Sequence, residues 1–301
     1  MARYFVCLSA LCLLLAGTAR ARVLEVGAGR AFGTPSAAAA AARDGDTVAI
    51  HAGTYRDCAV WTANGLTIEG VGDPAGVAIV AKTCQGKALF VTVGAGIAIR
   101  GLTLAGARVP DGNGAGIRAE GRDLLVERVR FLDNENGIMS GTKGGRIVVR
   151  DSLFERNGAC IGGCAHGIYA GESDLLRIEN SRFIGTRRGH HIKSRALRTE
   201  ILGCVIEDGP DGTASFEIDI PNGGDLILRG NAIQKGPKAE NHGAIVSLGA
   251  EGTMHPTRTI DIANNRVRND GPWDVRFVDN RTGTPAALAD NRLSGRIQPP
   301  R

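Results

Sequence analysis

Aromatic side chains are scarce in this chain: two Trp, three Tyr and eight Phe among 301 residues. A core of that kind, built from Val, Ile, Leu and Ala, suits narrow repetitive layers of strand better than large interdigitating helices. Proline is also low, at 11 residues, which excludes a Pro-rich linker protein. No strict Gly-x-y period runs through the sequence, so a collagen-type triple helix is excluded. Basic runs interleaved with aromatics are missing, which argues against a nucleic-acid partner. No CxxC or Cys/His pair has zinc-ligand spacing. What is abundant is glycine, 43 residues, about twice the usual share. The hydrophobic share of 43% is enough for a packed core and too high for a disordered chain.

The N-terminus reads as a targeting segment. Arg3 precedes an apolar run from Phe5 to Gly17, and Ala19-Arg20-Ala21 is a small-x-small cleavage signal. The expectation is a signal peptide over residues 1–21, cut after Ala21, and a secreted or periplasmic protein. The apolar run is too short to cross a membrane, and no later segment is long enough. Cleavage removes Arg3 and Arg20 and lowers the formal charge from +5 to +3. It also removes Cys7 and Cys12. Export permits disulfides, and two candidate pairs remain: Cys58 with Cys84, about one repeat apart, and Cys160 with Cys164 in a short loop. Cys204 is left over and reads as a small core residue.

Internal repeats decide the expected fold. Short strand-like runs end on apolar residues at 131, 154, 183, 206, 233, 267 and 293, spaced 23 to 34 residues apart. Ahead of these lie Ser152, Ser181, Cys204, Asn231, Asn265 and Asn291 in equivalent places, as an internal ladder would require. A second strand recurs around Ile117, Ile138, Ile168, Ile192, Ile218, Ile245 and Val275, each expected to point inward with its neighbours outward. Short strands in turns of this length describe a single-stranded right-handed parallel β-helix of about nine to ten turns, all-β, over residues 22–293. Residues 294–301 read as a tail. Glycines are expected at the corners, and Gly116, Gly137 and Gly167 at bare outward positions.

The N-terminal part of the mature chain carries a family likeness. An Ala-rich helix over 37–43 precedes Asp44-Gly-Asp-Thr-Val-Ala-Ile-His-Ala-Gly-Thr-Tyr55, and Leu66-Thr-Ile-Glu-Gly-Val-Gly72 follows. This resembles the entry of the pectate-lyase-like β-helix superfamily, with its capping helix and first rungs. The resemblance implies the fold over the whole mature chain. It leaves activity open, because the superfamily holds lyases, hydrolases, epimerases, adhesins and tailspikes.

Rungs of a β-helix lie about 4.8 Å apart, so outward residues can be read as columns. Tyr169, Lys193 and Asp219 fall in one column, with His191 and Glu217 beside it and Arg195 on the Lys193 strand. Such a concentration of titratable groups between rungs of Gly, Met, Ala and Val is more than solubility requires. The bland alternative is a solvated face with Lys193–Asp219 and His191–Glu217 pairs across rungs. Lyase chemistry on a uronic acid needs the carboxylate neutralised, a base for the proton at C5 and an acid for the leaving oxygen. Lys193 is the candidate base and Tyr169 or His191 the acid. Arg195, Arg118, or Ca²⁺ held by Glu217 and Asp219 would neutralise the carboxylate, with His190 and Asn222 as further substrate contacts. Lys193-Ser194 resembles the Lys-Ser of the alginate lyase and chondroitinase B group, in which the Lys is the base and an Arg follows one turn later. This chain has Glu217 and Asp219 in place of that Arg.

The rival reading is an inverting glycoside hydrolase. It needs two carboxyl groups about 6.5–9.5 Å apart, and Asp219 and Glu217 on one strand face would be about 6.6–7 Å apart at Cα. A third reading is a non-catalytic glycan-binding or structural β-helix. His166 and His190 read as hydrogen-bonded corner residues and His242 has an ambiguous place at the next corner; a metal site formed by the three is the weaker alternative. Glu172 is placed near the cleft, and His51 and His255 lie far along the axis. The expected partner is an acidic polysaccharide or oligosaccharide bound by a monomer. No cofactor is required by this reading, with Ca²⁺ the one candidate.

Overall fold

Each turn of the chain is laid down as three short strands because apolar residues alternate with polar ones over only three to five residues before a corner intervenes. In the computed structural model, which describes residues 21–299, these strands stack in parallel into three long sheets of 11, 10 and 10 strands. The result is a right-handed parallel β-helix of about ten turns. The first sheet runs from Val23–Val26 to Ala287–Ala289. The second, called the site sheet below, runs from Ala59–Trp61 to Ile297–Gln298. The third runs from Gly53–Tyr55 to Arg292–Gly295. One helix, Pro35–Ala41, caps the N-terminal end; Thr34 accepts from the Ala37 N–H and proline opens the first turn. The signal peptide expected over 1–21 lies, but for Ala21, outside the described residues. No helix among the described residues is long and apolar enough to cross a membrane.

The core is a set of columns. In the first sheet Val48, Ile68, Ile99, Val126, Val149, Ile178, Ile201, Leu228 and Ile262 stack inward in register. The third-sheet column includes Phe131, Phe154 and Phe183, whose rings stack face to face with centroids 4.5 and 4.4 Å apart. The corner between these two sheets has a fixed form. A left-handed residue (Gly101, Arg128, Asp151, Asn180, Gly203, Gly230, Asn264 or Asp290) comes first. One residue follows, buried in every turn but the last, where Asn291 is half-buried, and the expected ladder is found there. Ser152 N–H donates to Ser181 Oγ, Cys204 N–H to Asn231 Oδ1, Asn231 N–H to Asn265 Oδ1, and Asn265 N–H to Asn291 Oδ1. Cys204 is the buried free thiol in this series. Both expected disulfides, Cys58–Cys84 and Cys160–Cys164, are formed, which suits an oxidising compartment.

Three expectations change. Gly116, Gly137 and Gly167 do not face outward: a Cβ on Gly116 or Gly137 would lie 2.8 or 2.6 Å from the ring of Phe131 or Phe154, and one on Gly167 would lie 3.3 Å from that of Phe183. The strand bends at its entry, so two consecutive residues face the interior there and the period-2 rule fails. Further along, Val246 and Val278, not Ile245 and Val275, continue the inward column of Ile218. Ile245 and Phe277 instead continue the glycine column and are buried. Finally, the coil runs past residue 293: Arg292–Gly295 and Ile297–Gln298 are paired strands.

Large rings on one side of the interior thus stand against glycine on the other. Replacing Gly137 with Ala should cost about 1–3 kcal/mol through overpacking. Adding Phe154→Leu should return part of that loss, because the new methyl would still meet the Gly167 carbonyl. Urea unfolding of the two variants checks this; no recovery in the double variant would mean the ring is not what the methyl meets.

Candidate active site

The register of the site sheet aligns Tyr169 with Lys193 and Lys193 with Asp219. The outward column reads Val60, Val91, Arg118, Met139, Tyr169, Lys193, Asp219, Ser247 and Asp279. Charge and hydrogen-bonding capacity converge on its middle three rungs. Lys193 Nζ lies 3.3 Å from Asp219 Oδ2. Arg195, two residues along the same strand, donates from Nε to the Tyr169 phenol oxygen at 2.9 Å and from Nη1 to Asn222 Oδ1. His190 presents Nε2 at 3.5 Å from Asp219 Oδ2. Its Nδ1 accepts the Phe216 N–H, which places the ring proton on Nε2. The His190 ring stacks between His166 and Phe216, with centroids 4.9 and 5.3 Å apart.

A loop that the repeat does not predict completes the site. After the strand Ala244–Leu248 the chain arches back over Pro221–Gly224. Glu251 N–H donates to the Pro221 carbonyl and His255 N–H to the Asn222 carbonyl. This brings the Glu251 carboxylate onto two cations: Lys193 Nζ donates to Oε1 at 3.0 Å and Arg195 Nη2 to Oε2 at 2.6 Å. His255 Nε2 donates to the Arg195 carbonyl at 3.0 Å. Sequence reasoning missed Glu251 and set His255 aside because both sit on a loop whose path no repeat position specifies. The Gly249-x-x-Gly252 spacing and Pro256 are the visible signals of a turn there.

Electrostatics separate the groups. Burial pushes the Asp219 carboxyl above its usual range, with Lys193 opposing. Burial, with Lys193 adding, lowers His190 to about 3, so it is a neutral donor. Burial also acts upward on Glu251, but the Arg195 and Lys193 hydrogen bonds outweigh it and hold this carboxylate ionised below its usual range.

His191 and Glu217 are not in this cleft. Each sits at the inward bend position of the glycine column and is fully buried. His191 Nδ1 meets Thr186 Oγ1 at 2.7 Å, and its Nε2 meets Asp208 Oδ1 at 3.0 Å. Glu217 Oε2 accepts from the buried Lys235 ammonium at 3.2 Å. The expected Ca²⁺ pair fails for the same reason: Glu217 faces the interior and Asp219 the cleft. The cluster of His191, Asp208 and Glu217 has the spacing of metal ligands, but Lys235 already supplies the positive charge among them. Arg118 lies three rungs from Lys193, about 14 Å, and lines a different cavity of about 300 Å³ with Glu120 and Thr142. Glu172 pairs with Lys143. His242 stacks on Trp273, so no metal site joins it to His166 and His190.

No protein-family model matches the chain, and no curated protein does. Solved structures do. An alginate lyase from Paenibacillus sp. str. FPU-7 is similar over 93% of this chain and 98% of its own, with a TM-score of 0.62 and 15% identity. The ORF18 protein of Geobacillus virus E2 is similar over 84% of this chain and 54% of its own, with a TM-score of 0.52 and 13% identity. The likeness to these two structures is one of fold, a parallel β-helix. Within this fold, the outward column of the site sheet and the loop over it gather Lys193, Arg195, Asp219 and Glu251 at the surface of the coil, apart from the buried His191, Asp208, Glu217 and Lys235 network.

The buried network makes a pH prediction. Burial raises Glu217 well above the ordinary carboxyl range; Lys235 opposes and Asp208 adds. A group whose folded pKa is raised stabilises fully below its unfolded pKa and loses that contribution as pH rises through the folded value. The melting temperature should therefore fall as pH climbs above the ordinary carboxyl range, and Glu217→Gln should flatten that fall. A variant profile parallel to that of the parent protein would show that Glu217 is not the titrating group.

Proposed function

We propose that this protein is a polysaccharide lyase that cleaves a uronic-acid-containing polymer by β-elimination. The observation that carries the reading is the adjacency of Tyr169 and Lys193 on neighbouring rungs, with Arg195 bound to the phenol oxygen. A candidate base and a candidate acid then rise from neighbouring strands about 4.8 Å apart at the backbone, beside a guanidinium suited to a carboxylate. Lys193 Nζ takes the proton from C5, the electron pair forms the C4=C5 bond, and the C4–O bond breaks. Tyr169 donates its phenolic proton to the departing oxygen. Arg195, positioned by Asn222 and by His255 on its backbone, neutralises the uronate carboxylate and so acidifies the C5 proton. Asp219, kept above its usual range by burial and 3.3 Å from Lys193 Nζ, is an acceptor for the proton that Lys193 must shed before each turnover. His190, neutral, steadies Asp219.

With His191 inside the coil, Tyr169 is the remaining acid of the two first considered. Hydrolysis by Asp219 with Glu217 finds no support, because the two carboxyls do not share a face. The similar alginate lyase is compatible with the substrate class and does not identify the polymer. Export and a monomeric state belong to this reading as well.

The test is incubation with a panel of polyuronides while following the ultraviolet absorbance of the unsaturated uronate end. Absorbance should grow with the parent protein. It should fall by on the order of 10²-fold or more in Lys193→Ala and Tyr169→Phe, the size of a general acid–base contribution, with melting temperatures unchanged. New reducing ends without that absorbance would reject the lyase in favour of a hydrolase. No cleavage of any polyuronide would leave a glycan-binding role as the better account.

A further inference from the structure

The Glu251 carboxylate sits where a uronate carboxylate should. Its two oxygens bridge Lys193 Nζ and Arg195 Nη2 at 3.0 and 2.6 Å. The two cations are mostly buried, with 12% and 22% of their side chains exposed, whereas the Glu251 side chain is 47% exposed. The carboxylate therefore lies on the solvent side of its partners, open to replacement from outside. The backbone beneath it is held: Glu251 N–H is bonded to the Pro221 carbonyl, and the loop is tied again at His255. Leaving the site requires only rotation of the side chain, with no opening of the loop.

We propose that Glu251 is an internal stand-in for the substrate. It occupies the uronate carboxylate seat between Lys193 and Arg195 in the free protein, and an acidic sugar binds by displacing it. This deepens the lyase reading and rests on it for the identity of the ligand. Lys193 and Arg195 face two acidic groups, Asp219 and Glu251, beside a neutral His190. Exchanging one carboxylate for another leaves the cleft charge unchanged. It also spares Arg195, whose carboxylate partner is Glu251, an unpaired state, which would be costly where it is this buried. A neutral or esterified sugar brings no charge to replace that of Glu251 and cannot make the exchange, so the contact discriminates against such glycans. Bound carboxylate in that seat places its attached C5 beside Lys193 Nζ.

The experiment is calorimetric titration of the parent protein and of Glu251→Gln with oligomannuronate, oligogalacturonate and methyl-esterified oligogalacturonate. Glu251→Gln keeps the side-chain size and removes the competing charge. It should bind the acidic oligosaccharide more tightly, by on the order of 10-fold, a typical coupling between two ligands, while the esterified probe gains nothing. Equal or weaker binding of the acidic probe in Glu251→Gln overturns the proposal, since Glu251 would then serve as a substrate contact or as a support for the cations. Failure of both proteins to bind any acidic probe overturns it too. Tighter binding without any unsaturated product would keep the proposal and reject the lyase; unsaturated product without tighter binding would do the reverse.

Discussion

Every turn of this chain must come back to rest one strand spacing above the last, in register. That constraint underlies all the rest, because parallel strands in a coil give each residue a fixed neighbour above and below. A residue therefore belongs to a column before it belongs to a motif. The core columns of Val, Ile and Leu, the stacked Phe131, Phe154 and Phe183, and the Ser–Cys–Asn ladder all follow. So does the cleft: Tyr169, Lys193 and Asp219 lie far apart in sequence and meet only because the register brings them together.

The interior behind the cleft departs from the apolar rule. In the turns with Phe131, Phe154 and Phe183, glycine makes room for the rings. From His191 onward the glycines give way to His191 and Glu217, in turns whose third-sheet residues are Ile206 and Ile233. Polar partners then become obligatory, and Thr186, Asp208 and Lys235 supply them. Lys235 also donates to the Ser215 carbonyl. Buried networks of this kind are poor evidence for extra stability. Their effect here is positional. They tie the bends that lead into Lys193 and Asp219 to the third sheet, so both side chains leave the coil from fixed points.

Much of the fold was legible in the sequence because the repeat is written in it. The ladder positions, the third-sheet column and the Tyr169–Lys193–Asp219 alignment all follow from spacing and alternation. Two features were not legible, for different reasons. Alternation assumes a straight strand, and the bend ahead of Ile192 and Ile218 turns His191 and Glu217 inward, so both read as cleft residues when they are core. The residues between Leu248 and Ile260 have no counterpart in neighbouring turns, so no column assigns Glu251 or His255 a place. Of the cleft's two acidic and two basic groups, Lys193, Arg195 and Asp219 were visible because the sheet carries them, and Glu251 was not because the loop does.

The two-residue corner between the first and third sheets carries a consequence of its own. Its left-handed residue and ladder residue recur without insertion from Arg128 to Asn291, while the length of a whole turn ranges from 23 to 34 residues. One edge of the coil thus acts as a hinge-free spine, and length variation is confined to the other edges. New segments can be spliced into those edges without shifting any column. In the lyase we propose, substrate preference is therefore free to drift through grafted loops while the rungs that carry Tyr169, Lys193 and Asp219 stay where they are.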